Sequence, residues 1–294
     1  MGVTFQVFVS TENTRYMSWQ TELFCFSALS MLGTRPTMVV HETSTPLRAE
    51  FIALRDRGFP LIQAPSFSYF RNGIYLPRNE IGSLLTIASS SIAAEYILFC
   101  EPDMLFVQQP MYSDGVSGEF YRYLDYGQRH IVRAAKKIGL AEMTEELNNT
   151  SRIGVPYLIP TRDVKRVASR WIEVLEAFDL LDWIDIMYAF GFALKLEGIQ
   201  PQATHLMDDN LHQKESLRSS IIHYCYGDSA WNKRSFVNRS PLEGWNWFLP
   251  RAKQGSILRE IVRQIRRAKK FYSDKTLIER FFSILPAESL TNRQ

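Results

Sequence analysis

Cysteine is scarce in these 294 residues: Cys25, Cys100 and Cys225 are the whole set. None belongs to a Cys-x-x-Cys pair, and each lies in an apolar run. A scattered, odd-numbered set argues against a disulfide framework and a structural zinc site, and for reduced, buried thiols. No uninterrupted apolar run reaches the length of a membrane-spanning helix, so none is expected. Met1–Ser10 has neither a basic n-region nor a long apolar core; it reads as a strand rather than a signal peptide, and a cytoplasmic protein is expected. A strong charge bias is missing as well. The formal net charge is +3, which by itself implies no nucleic-acid partner. No glycine stands between Ser10 and Arg15, so the first strand does not lead into a glycine-rich phosphate loop. Internal repeats and low-complexity tracts are also absent.

What is present is core-forming material. With 46% apolar and 13% aromatic residues, the chain suits one large α/β domain. A β-rich run over 3–9 ends in Ser10-Thr11-Glu12-Asn13 and is followed by helical spacing over 15–32, closed by Gly33. Strands are expected at 37–41, 61–64 and 95–100. Helices are expected at 46–57 and from Pro77 to about 91. This alternation predicts an α/β fold: a mostly parallel, Rossmann-like sheet with helices on both faces. Further along, helical patterns cover 128–139, 163–177 and 183–196, and strand patterns cover 154–160 and 220–225. We expect one domain over 1–250 and a basic, helical C-terminal extension over 251–294.

In parallel sheets ligands bind beyond the carboxyl ends of the strands. That points to Ser10–Asn13 and to Glu101–Asp103. The segment Glu95–Cys100 is a near-continuous apolar run, as a buried parallel strand requires. It drives directly into Glu101-Pro102-Asp103. In extended chain, residues i and i+2 face the same way, so Glu101 and Asp103 can address one hard cation, Mg²⁺ or Mn²⁺. Such an ion bridges diphosphate oxygens and offsets charge on a departing nucleoside diphosphate. Downstream, His223 ends a strand-like run and can complete the coordination. Gly227 permits close backbone approach to a phosphate, and Lys233 offers a point charge to it. Asp185 is an acid on an otherwise apolar helix. It suits either a catalytic base or a sugar-hydroxyl contact, or a helix-start acid favoured by the macrodipole.

With these pieces in order, the chain resembles glycosyltransferases of the GT-A fold. It most resembles the peptidyl hydroxyproline arabinosyltransferase and peptidyl serine galactosyltransferase group and their bacterial relatives. The residues that carry the resemblance are Ile97–Met104, Ile153-Gly154-Val155 with the helix holding Trp171, Tyr188–Ala193, and His223-Tyr224 through Trp231 and Phe236. Glu101 stands where the group usually has an Asp, and Pro102 where a small residue is common. The resemblance implies metal binding by Asp103 and His223, with Glu101 on the ribose or the metal. It implies Ser10 and Thr11 beside the uracil or ribose of a UDP-sugar donor. Arg78 and Asn79 would be near the donor sugar or phosphates, although the first reading of Asn79 is a plain helix cap. It also implies retention of anomeric configuration and a hydroxyl acceptor on a peptide, glycan or lipid. Two rival functions are a nucleotidyltransferase and a non-catalytic nucleotide-sugar-binding relative.

Three features lie outside this constellation. Asp208 and Asp209 suit an acceptor site or a plain turn. The aromatics Trp231, Trp245, Trp247 and Phe248 suit sugar stacking or core cover. Residues 251–270 hold eight Lys/Arg against one acid, a net +7. Within 255–271, Leu258, Ile261, Val262, Ile265 and Phe271 form one stripe. Such a helix either docks on the parent domain or lies on an anionic membrane surface. Without a recognised motif, nucleic acid is not an expected partner.

Overall fold

The computed structural model describes residues 4–42, 45–71, 73–179, 181–208, 219–225, 231–243 and 254–273. In chain order the elements are β1 (Phe5–Glu12), α1 (Arg15–Leu32), β2 (Thr37–Glu42), α2 (Ala49–Asp56), β3 (Leu61–Pro65), β4 (Tyr69–Phe70), β5 (Gly73–Ile74) and α3 (Arg78–Ala88). There follow β6 (Tyr96–Cys100), β7 (Met104–Phe106), β8 (Ser117–Phe120), α4 (Arg129–Lys137), α5 (Thr144–Thr150), β9 (Ile153–Pro160), α6 (Val164–Leu175) and α7 (Asp185–Leu196). The last are β10 (Gln202–Thr204), β11 (Met207–Asp208), β12 (Ile221–His223) and α8 (Ile257–Ser273). The chain divides into two compact units. One comprises residues 1–13, 36–102 and 110–206; the other comprises 14–35, 103–109 and 207–294.

The first unit contains a seven-stranded sheet in the order β10-β8-β9-β6-β1-β2-β3. Pairing is parallel at β6–β1, β1–β2, β2–β3 and β10–β8, whereas β9 runs antiparallel to both β6 and β8. Val7 through Thr11 of β1 are buried without a break. Since neighbouring residues face opposite sides, both faces of that strand are covered. Helix α3 packs on β1, β2 and β3, α6 packs on α3, and α7 packs on α6 and β9. The α/β architecture expected from the strand–helix alternation is therefore present, with β9 as its antiparallel member.

The second unit is built on α1. Thr14 caps it by accepting from the Met17 N–H, and Gly33 ends it in the left-handed region at φ 66°, where a Cβ is costly. Its partners are β7 and α8. Strand β7 pairs antiparallel with β12, which pairs parallel with β11. Helix α8 buries Ile257, Leu258, Ile261, Val262, Ile265 and Phe271, and Phe271 meets Phe26 of α1 at 5.5 Å between ring centroids.

One contact in the first unit makes a test of packing. A Cβ at Gly191 of α7 would collide with the Tyr126 hydroxyl, which is buried and donates to the Ser151 carbonyl at 2.9 Å. Alanine raises helix propensity by about 1 kcal/mol over glycine, but overpacking costs about 1–3 kcal/mol. Gly191→Ala is therefore expected to lower the thermal midpoint. Adding Tyr126→Phe, which deletes the clashing oxygen, is expected to recover part of the loss; a more stable Gly191→Ala protein would contradict this packing.

Candidate functional site

In the first unit the parallel register sets the geometry. Pairing of β1 with β6 runs from Phe5↔Tyr96 to Val9↔Cys100, so the next residues along these strands are Ser10 and Glu101. Ser10 and Thr11 are both buried. The Ser83 hydroxyl donates to Ser10 Oγ at 2.8 Å, and Ser83 Oγ lies 2.7 Å from His41 Nε2. The His41 Nδ1–H donates to the Pro65 carbonyl at 2.8 Å. Ser10 is thus the end of a buried chain of polar groups rather than a free surface hydroxyl.

The start of α3 supplies three side chains. Asn79 donates to Glu12 at 3.2 Å and accepts from the Phe67 N–H at 2.8 Å, so it ties β1 and the 66–68 segment to α3 and does not cap its own helix. Arg78 donates to the carbonyls of Phe67, at 3.3 Å, and of Tyr69. Its guanidinium also lies over the Phe70 ring and 3.7 Å from Glu176. Arg78 thus already holds two backbone carbonyls of the 67–69 segment. Glu80 is the residue the sequence reading missed. It is buried, and burial first and the charge of Glu101 second hold its carboxyl well above the usual range. Glu101 itself is half-buried and also raises the Cys100 thiol, after burial.

Asp185 begins α7 and its side chain is fully buried. One oxygen accepts from the Asp182 N–H at 2.8 Å; the other lies 3.2 Å from Nε2 of His130, which is about half exposed. Burial is the main cause that raises the Asp185 carboxyl above its ordinary range. Asp185, His130, Arg133, Asp179 and Asp182 line a cleft of about 330 Å³. Any molecule in this cleft meets His130 directly and Asp185 through it.

In the second unit the antiparallel register places His223 opposite Met104, and the Tyr224 N–H donates to the Asp103 carbonyl at 3.0 Å. This brings Asp103 Oδ1 to 3.4 Å from His223 Nε2, while Lys233 Nζ donates to Asp103 Oδ2. Asp103 and His223 are both buried. Burial pushes the Asp103 carboxyl up, but Lys233 and then His223 outweigh it, and the group is held well below the carboxylate range. Burial lowers His223, but the adjacent Asp103 charge wins and holds the imidazole well above its ordinary value. A ring framework surrounds the group: Trp19 stacks on Tyr224 at 6.1 Å and donates to the Phe236 carbonyl at 3.2 Å. Trp231 is buried against Tyr224 and Phe236, so it covers the core. Gly227, Asp209, Trp245, Trp247 and Phe248 lie outside the described residues. Asp208 accepts from the Ser219 N–H at 2.9 Å, a turn-bracing role.

The donor chemistry fits a divalent cation. A carboxylate and an imidazole stand 3.4 Å apart, both are established metal ligands, and an ammonium already occupies the second carboxylate oxygen where positive charge is wanted.

The chain is also similar to known proteins in fold and over part of its sequence. Residues 79–204 match the model of the hydroxyproline O-arabinosyltransferase family N-terminal domain. The structure is similar to the galactosyltransferase LgtC in complex with donor and acceptor sugar analogues, with a TM-score of 0.55, 11% identity, and coverage of 90% of this chain and 96% of that one. It is also similar to an active-site mutant of LgtC, with a TM-score of 0.53, 12% identity, and coverage of 78% and 90% respectively. No curated protein matches the sequence. The fold is that of the GT-A glycosyltransferases. Within that class of enzyme the chain resembles the hydroxyproline O-arabinosyltransferase group, and the matched segment contains Glu101, Asp103 and Asp185.

Asp103 is the neighbouring charge that raises His223, which yields a direct test. In Asp103→Asn, burial of His223 loses its main opponent. The imidazole is then expected to titrate lower than in the native protein, as followed by NMR of the His223 ring. An unchanged midpoint would show that the two groups do not interact.

Proposed function

We propose that the protein is a metal-dependent glycosyltransferase that moves a sugar from a UDP-sugar to a hydroxyl acceptor, with retention of configuration. The observation that carries this reading is a buried carboxylate, Asp103, flanked by His223 and Lys233 in a chain of glycosyltransferase fold. In this reading Asp103 and His223 hold Mn²⁺ or Mg²⁺, and Glu101, two residues upstream, contacts the ion or the donor ribose. The cation, when bound, neutralises charge on the departing diphosphate. Lys233 adds a second positive charge for the β-phosphate, and Gly227 lets the backbone come near it. Ser10 and Thr11 meet the nucleoside, with Ser10 oriented by Ser83 and His41. Arg78 reaches the donor only by releasing its present carbonyl partners. Asp185 serves the sugar or the acceptor through His130. The acceptor is a hydroxyl on a peptide, glycan or lipid. The site is proposed to work in the cytoplasm; among the described residues no helix is long and apolar enough to cross a membrane.

The test is release of UDP from a panel of UDP-sugars with Mn²⁺ or with EDTA. Turnover of one donor is expected with Mn²⁺, with a loss of about 100-fold or more in EDTA and in Asp103→Ala, in line with removal of a principal electrostatic group. Turnover unaffected by either change would sink the metal-dependent reading. Absence of both turnover and metal-dependent UDP binding would favour the non-catalytic rival.

Protons compete with the cation at His223. Its raised value means that the imidazole is still protonated above its ordinary titration range and must lose that proton to ligate. Mn²⁺ affinity measured by calorimetry is therefore expected to rise with pH through and above the usual histidine range. In His223→Ala that dependence is expected to flatten; an equally steep profile in the variant would remove His223 from the ligand set.

A further inference from the structure

We propose that the outward face of α8 is an electrostatic docking surface for an anionic lipid bilayer. Ile257, Leu258, Ile261, Val262, Ile265, Ala268 and Phe271 are buried, and α8 packs on α1. The notable feature is the side turned away from that stripe. Arg259, Arg263, Arg266, Arg267 and Lys270 are exposed, and Lys269 is half-buried. At 100° per residue the five exposed cations fall within an arc of about 100°, opposite the apolar stripe, and span roughly 16 Å along the axis. The one acid on the helix, Glu260, is buried and bound by Arg263 at 2.7 Å and Gln264 at 2.8 Å, so it does not break the array.

A straight, single-sign row of cations matches a plane of lipid phosphates. Arg259 and Arg263 also flank a cleft of about 200 Å³ that includes Gly255 and Ser256, beside which a headgroup phosphate can meet two guanidinium groups. The apolar stripe is already used inside the protein, so contact is at headgroup level and without insertion. Single-stranded nucleic acid would want stacking rings beside the cations. On α8 the two aromatics are Phe271, which is buried, and Tyr272, which is half-buried with its hydroxyl on the Glu22 carbonyl. The lipid surface is therefore the favoured occupant, and this inference stands independently of the enzymatic reading.

The full chain is sedimented with vesicles of pure phosphatidylcholine and with vesicles carrying about one-third phosphatidylglycerol. Binding is expected to the anionic vesicles alone and to be released at roughly 0.5 M salt, where the screening length is only a few ångströms. Arg259→Gln, Arg266→Gln, Lys269→Gln and Lys270→Gln together are expected to lower the partition about ten-fold or more while leaving the thermal midpoint and UDP-sugar turnover unchanged. Arg263 is kept because it pairs with buried Glu260, and Arg267 because it lies over the Phe26 ring. If that variant fails to fold, the salt series on the native protein and the single variant Lys270→Glu decide. No binding at low salt, equal binding to neutral vesicles, or an unchanged partition for the variant would each overturn the proposal. So would tighter binding of a single-stranded RNA than of the vesicles.

Discussion

The candidate site depends on the cost of burying one carboxylate. Asp103 is buried between Pro102 and Met104, which are buried as well. An ionised carboxylate in such a place is tolerated only when paired and hydrogen-bonded, and removing one partner of a buried pair costs about 3–5 kcal/mol. Lys233 and His223 supply the pairing. Both come from chain segments more than a hundred residues downstream. Closing so long a loop is costly in entropy, and the β7–β12 ladder together with the Trp19–Tyr224–Trp231 ring contacts offsets that cost locally.

Much of the first unit was legible because its central strands are buried on both faces and therefore read as unbroken apolar runs. Strand β6 was placed within a residue, and the acids after it were recognised from their position at the carboxyl end. Helices α1, α6 and α7 were likewise legible from helical spacing and from their capping signals. The short elements were not. The β4–β5 hairpin has two residues per strand, and β7, β8, β10 and β11 are two to four residues long; their existence is set by a distant partner rather than by local pattern. Strand β9 was visible as a strand, but its antiparallel direction comes from pairing between β6 and β8, which no local run encodes.

At the site, residue identity was easier to read than residue environment. Asp103, His223 and Lys233 were chosen for their chemistry, and the structure brings these three together. Arg78 and Asn79 were read from a helix start, and their side chains hold the 67–69 backbone and Glu12, partners that only the fold brings beside α3. Glu80 was passed over, since an acid in the first turn of a helix already has a sufficient reason in the macrodipole. Only the fold shows it buried within the field of Glu101. His130 was missed as well: an exposed residue opening α4 gives no sign of a buried partner fifty-five positions away.

The partners of Asp103 also constrain how a cation can enter. Its two oxygens face the His223 imidazole and the Lys233 ammonium, so the carboxylate is already paired. In the proposed reading a divalent ion competes with protons at His223 and shares Asp103 only if the ammonium yields an oxygen. The positive charge that Lys233 carries is not lost in that exchange; it becomes available to a second anion. A diphosphate arriving with the cation supplies that anion, so cation and nucleotide are each expected to bind more tightly when the other is present. In that reading the lysine paired with Asp103 discourages the metal alone and favours the metal–nucleotide pair.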